Sequence, residues 1–270
     1  MQMETPETLQ VIAAGATTSV GLTLPSTYAA INASLDNFQE TQFRSHEGPI
    51  IGAPIIYEPH DQFPVPELRG HERLAALLRL AVEECLSHLE LKIDADNSIP
   101  VLLVLGEKER LGRTEELGIH CKKILSTLNQ NTKLLSLAYA ELGCTGVVDA
   151  LNTAIESLSG KKFAYVVIAS VDSFLNVPDI QFALSQERLL TQENAHGFIP
   201  GEAASAILLQ LTTPSDFENP TTKKALSIVG MAQAEEDAEL LCDEPCTGKG
   251  LTAAVAAALR QSSYALADMH

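Results

Sequence analysis

Residues 134–154 read LLSLAYAELGCTGVVDALNTA. Leu134–Ala140 is apolar on consecutive positions, as a strand enclosed on both faces must be. Thr145–Ala154 places its apolar residues at helical spacing, and Gly143-Cys144-Thr145-Gly146 joins the two. The two glycines permit a tight strand-to-helix turn, an elbow. A thiol in that turn stands at a helix N-terminus, where unpaired N–H groups and the helix dipole favour the thiolate. Cys144 is therefore a candidate nucleophile with Gly143 and Gly146 as its elbow; the competing reading is an inert cysteine acting as a small hydrophobe.

Working outward, the same alternation recurs along the chain. Strands are expected at Leu9–Ala14, Ile50–Tyr57 (strand or edge segment), Pro100–Leu105, Phe163–Ala169, Ala203–Leu211 and Ala225–Met231. Helices are expected near Pro25–Ser34, over His71–Leu91, Thr114–Leu128, Thr145–Leu158, Pro178–Leu190 and Gly250–Gln261. The helix over His71–Leu91 is the best defined, with Leu74, Leu77, Leu78, Ala81, Val82, Cys85 and Leu89 at three- and four-residue steps. Continuous apolar strands separated by helices predict an α/β fold whose sheet is covered on both faces. Thr212–Thr222 (TTPSDFENPTT) reads as a linker. The residues beyond it are too few for an independent core, so they dock on the first domain or begin a second.

Composition narrows the function. The 270 residues carry 18 Lys+Arg against 35 Asp+Glu, a formal charge of −17. That balance repels phosphate backbones and anionic lipid, so neither nucleic acid nor a membrane is expected as a partner. The N-terminal MQMETPETLQ lacks a basic segment followed by an apolar run, and no apolar stretch is long enough to span a bilayer. Cys85, Cys121, Cys144, Cys242 and Cys246 are odd in number and scattered, which fits free thiols in a cytoplasmic protein. Cys242 and Cys246 have no second pair or nearby histidine to complete a zinc site, so no metal is expected.

Two glycine motifs fail their tests. Gly15–Gly21 (GATTSVG) lacks the G-x-G-x-x-G spacing of a dinucleotide site, and Thr247–Gly250 (TGKG) lacks the P-loop glycine and the hydroxyl residue after lysine. No cofactor is expected. His196–Ala204 (HGFIPGEAA) is a tight-turn loop entering an apolar strand; Glu202 beside that strand needs a polar partner if it is enclosed. His196 itself reads as a surface loop residue.

Taken together these segments resemble the β-ketoacyl-acyl-carrier-protein synthases of the thiolase superfamily. His196–Ala204 is similar to that family's D-G-F-V-x-G-E-G-A segment, through Gly197, Phe198, Gly201 and Glu202. Val167–Ser173 (VIASVDS) is similar to its A-G-G-V-D-S strand, and Val11–Gly21 (VIAAGATTSVG) to its opening V-I-T-G-x-G-x-x-T-x-x-G. Pro100–Gly106 (PVLLVLG) falls where the family has an apolar strand ending in glycine. Counting back without a gap from Val171-Asp172-Ser173 brings Cys144 to the family's nucleophilic cysteine. Tyr139, Glu141 and Leu142 stand where the family carries small residues, and the cysteine-to-glycine spacing is shorter than its pattern.

The resemblance implies a thiolase-like layered fold with a mixed, mostly parallel five-stranded sheet. It implies one complete half over 1–211, a linker over 212–224, and the first strand and helix of an incomplete second half over 225–270. It also implies acyl transfer to Cys144 from an acyl carrier protein or acyl thioester, then decarboxylative carbon–carbon condensation in fatty-acid or polyketide-type synthesis. The family's two active-site histidines, in N-A-H-G-T-x-T and a later loop, have no counterpart in this sequence, and His270 lacks the Gly-Thr context. The alternative is a non-catalytic thiolase-fold partner or scaffold, in a homodimer or heterodimer. Carrier proteins are acidic, and the chain offers lysine doublets only at Lys122–Lys123, Lys161–Lys162 and Lys223–Lys224.

Overall fold

In the computed structural model the chain runs β1 (Thr8–Thr18), α1 (Leu24–Asn32), β2 (Gln39–Ser45), β3 (Gly48–Gly52), α2 (Gly70–Ser87), β4 (Ile99–Val104) and α3 (Glu115–Thr127). It continues through β5 (Leu134–Ala140), α4 (Gly146–Ser159), β6 (Val166–Ser173), α5 (Val177–Ser185), β7 (Glu202–Thr212), β8 (Leu226–Ile228) and α6 (Lys249–Ser262). The described residues are 8–57, 68–87, 98–128, 134–212, 226–238, 244–262 and 264–269. Cys242, His270 and all but the first residue of the expected linker lie outside them.

One sheet in the order β5-β4-β6-β7-β1-β8 organises the molecule. β4 pairs in parallel with both β5 and β6, whereas β7 is antiparallel to β6 and to β1. Four of the first five strands therefore share a direction and only β7 opposes them. β8 adds a short sixth strand, antiparallel on β1 through Leu9↔Ile228 to Val11↔Leu226.

Strand alternation divides the core into two layers. Val101 and Leu103 of β4 face Leu77, Leu78 and Val82 of α2 and Leu117 and Leu125 of α3. Leu102 and Val104 face the opposite way, onto Ala150, Leu151, Ala154 and Leu158 of α4. The apolar stripes of α2 and α4 cover opposite faces of one sheet, as the continuous apolar strands predict. α2 lies so close to β1 that a Cβ on Gly15 would come within 2.1 Å of the Ala81 carbonyl oxygen. Glu84 of α2 also accepts from the backbone N–H groups of Ala16 and Leu24, both at 2.9 Å, which fixes the start of α1.

Some boundaries differ from the sequence reading. β2 was not foreseen: QETQFRS alternates half-buried and exposed positions in a two-stranded hairpin with β3, away from the main sheet. The strand expected at Phe163–Ala169 begins at Val166, beyond a turn with Lys161 at φ 51°, and runs on to Ser173. The helix expected over Pro178–Leu190 stops at Ser185, ahead of Glu187 at φ 52°; Leu189 is buried from the following loop. No helix among the described residues is long and apolar enough to cross a membrane.

Candidate functional site

The parallel strands β4, β5 and β6 deliver their C-terminal ends to one rim of the sheet, and β7, running the other way, starts there. In open α/β sheets that rim is where loops carrying chemistry collect. Here it gathers Glu107, Arg110 and Arg113 after β4, Glu141 and Cys144 after β5, Asp172 at the end of β6, and Glu202 at the start of β7.

Gly143–Thr145 is a single 3-10 turn leading directly into α4, and Gly143 adopts φ 59°, a conformation that favours glycine. The Gly143 N–H donates to the Leu105 carbonyl at 3.1 Å, and Lys108 N–H to the Glu141 carbonyl at 3.2 Å, stitching the elbow to the loop after β4. Gly146 is buried, and a Cβ on it would sit 3.0 Å from Cβ of Ala140. Cys144 is exposed. A carboxylate stands against this turn: a Cβ on Gly143 would meet Glu107 Oε1 at 2.1 Å. From beyond the expected linker, Gln233 Nε2 donates to the Thr145 carbonyl at 3.0 Å and to Asp149 Oδ1 at 3.2 Å, across the first turn of α4.

The loop before β7 forms a second cluster. Gly197 packs so tightly that a Cβ would lie 1.9 Å from the Leu189 carbonyl carbon. Gly201 bridges to Ala53, and Phe198 meets Phe174 edge-on at 5.6 Å between ring centroids. Glu202 is buried and has the partner its enclosure demands. Its Oε1 accepts from Arg73 at 2.7 Å and from the Ile55 N–H at 3.0 Å. Burial alone lowers the Arg73 pKa, but the hydrogen bonds and charge of Glu202 outweigh it and leave the value raised.

Arg110 connects the two clusters. It pairs with Asp172 and, at 3.2 Å, with Asp179, and its guanidinium lies 4.4 Å from the centre of the Phe174 ring. Burial lowers its pKa as well; hydrogen bonding and charge from Asp172, then the charges of Asp179 and Glu107, raise it overall. Arg113 pairs with Glu141. A cavity of about 280 Å³ opens among Arg73, Arg110, Arg113, Asp172 and Glu202, and Cys144 is not among its lining residues. Every arginine in it already faces a carboxylate, so the network holds loops in place and leaves little free charge for a ligand.

Sequence reading singled out Cys144 and Glu202 but missed Glu107, Arg110 and Arg113. Their signal was present as E-K-E-R-L-G-R (107–113), a run of charges directly after an apolar parallel strand, the place where such sheets collect site residues.

No family model and no curated protein sequence matches the chain. Solved structures do. A β-ketoacyl synthase from Burkholderia phymatum superposes with a TM-score of 0.62 at 14% identity, over 96% of this chain and 71% of that one. A ketosynthase in complex with its chain length factor, from Xenorhabdus doucetiae, gives 0.66 at 13% identity over 97% and 70%. A type II polyketide synthase ketosynthase in complex with its acyl-carrier protein gives 0.66 at 15% identity over 97% and 71%. The chain has the thiolase-like fold of the ketosynthases.

Proposed function

We propose that this chain is a non-catalytic ketosynthase-fold subunit, a partner of a condensing enzyme in fatty-acid or polyketide-type synthesis in the cytoplasm. The observation that carries this reading is the Glu107 carboxylate against Gly143. Acyl transfer at this turn develops negative charge on the substrate oxygen, and a carboxylate in front of the elbow opposes that oxyanion. The solved complex of a ketosynthase with its chain length factor offers a precedent for pairing within this fold. In this reading the partner is engaged through β5, whose outer edge has no strand beside it among the described residues.

A second reading, acyl transfer to Cys144 from a carrier-protein thioester, draws on the thiol standing free at the start of α4. Intact-mass analysis after incubation with an acyl thioester separates the two. The partner reading expects no adduct on Cys144 of the folded chain; an acyl adduct there overturns it in favour of the second. Sedimentation of the chain, alone and with a ketosynthase, reads the assembly.

A further inference from the structure

Outside the arginine-lined cavity, the two-residue turn of the β2–β3 hairpin presents His46 and Glu47 toward Glu193 on the loop between α5 and β7. His46 Nε2 lies 3.9 Å from Glu47 Oε1 and 3.8 Å from Glu193 Oε2. The ligand atoms of all three residues fall within 4.8 Å of one another. We propose that His46, Glu47 and Glu193 form a divalent-cation site that clasps the hairpin to this loop.

The donor set is one imidazole nitrogen between two carboxylates, which suits Mn²⁺, Co²⁺ or Zn²⁺ and disfavours Mg²⁺ and Ca²⁺, whose preference is for oxygen alone. Donors around such a metal stand about 3.0–3.5 Å apart. His46 and Glu193 have side chains 79% and 76% exposed, so small rotations bring them to that spacing. Glu47 is the fixed point: its side chain is only 14% exposed, and its Oε2 accepts from the Glu193 N–H at 3.1 Å. Charge supplies the motive. Among the described residues neither Glu47 nor Glu193 has a lysine or arginine within 4.0 Å, so backbone packing brings two carboxylates together with only an imidazole between them. Glu187 lines the same cavity of about 500 Å³, a third acidic residue in its wall. A cation relieves this repulsion and ties together two segments about 145 residues apart in sequence.

Mn²⁺ is the probe of choice, because the cysteines compete for Zn²⁺. Titration of the full chain, followed by loss of the free Mn²⁺ electron-paramagnetic-resonance signal, is expected to show one bound ion. The thermal midpoint rises with Mn²⁺, since the ion binds the folded state. His46→Ala and Glu193→Gln each weaken binding by about tenfold or more and abolish the thermal shift, whereas Glu235→Gln, at an exposed acid elsewhere, changes neither. As His46 and Glu193 are exposed, the variants fold. No stoichiometric binding, or binding unchanged in His46→Ala, overturns the proposal and leaves the three residues as a surface cluster only.

Discussion

Glu107 and Gly143 make a contact with a measurable consequence. If the carboxylate repels negative charge arriving at the elbow, Glu107→Gln raises the rate at which anionic iodoacetate alkylates Cys144 by about threefold or more, relative to neutral iodoacetamide. An unchanged rate places the charge too far from the sulfur to matter. Glu202 supports a second prediction. Its side chain is 5% exposed and its charge is met by Arg73, so Arg73→Met strands a buried carboxylate and lowers unfolding stability by about 3–5 kcal/mol. The double variant Arg73→Met/Glu202→Met removes both charges and recovers part of that loss. Urea denaturation measures both variants, and a single variant as stable as the parent shows that water, not Arg73, satisfies Glu202.

At the scale of elements, α2 and α3 carry Cys85 and Cys121, both fully enclosed. Burial pushes each thiol up from 9.0 to about 12; a smaller upward contribution from Glu84 acts on Cys85, and Arg113 acts downward on Cys121. In the unfolded chain these thiols ionise near 9, so the folded state holds more protons between pH 9 and 12. The stabilisation is complete below pH 9 and is lost as pH climbs through that window. Denaturation midpoints are therefore expected to fall more steeply above pH 9 in the parent than in a Cys85→Ala/Cys121→Ala variant. The same elements show what the sequence disclosed. β4 and α4 were legible to within a residue, because each buries a continuous or periodic apolar pattern; β5 has the expected bounds, and α2 begins where expected, with residues 88–91 of the expected helix outside the described residues. β2 was not, because a half-exposed hairpin away from the sheet has no apolar signature. The elbow was legible from its glycines and the need of Glu202 for a partner from its burial. Arg73, Arg110 and Arg113 were not identified as its companions, since only the folded rim brings them to carboxylates 28–129 residues away.

The molecule as a whole divides unevenly. Among the described residues every buried hydrophobic side chain except Ala238 lies before Thr212, and α6 buries only Gly250. We propose that residues up to about 211 are one folding unit and that 226–269 rests on it through β8 and Gln233. A chain ended after Thr212 is then expected to unfold cooperatively, with a loss of about 1–3 kcal/mol as Leu9, Ile155 and Leu211 gain exposure. Loss of the cooperative transition, read by circular dichroism in urea, shows instead that the two parts fold together. The formal charge of −17 belongs to this scale too: it sets the long-range field any acidic carrier protein must cross, so such binding should strengthen with added salt.

The unequal flanks of the sheet bear on stoichiometry. Among the described residues β5 ends one side with seven residues and no strand beside it, while the other side ends in the three-residue β8, whose continuation at Gly230 is pressed against Ala258 of α6. A sheet with two usable flanks can polymerise into a ribbon, whereas one with a single usable flank has a valence of one. We propose that strand addition to this molecule terminates at a pair, so that growth beyond two subunits requires a surface other than the sheet.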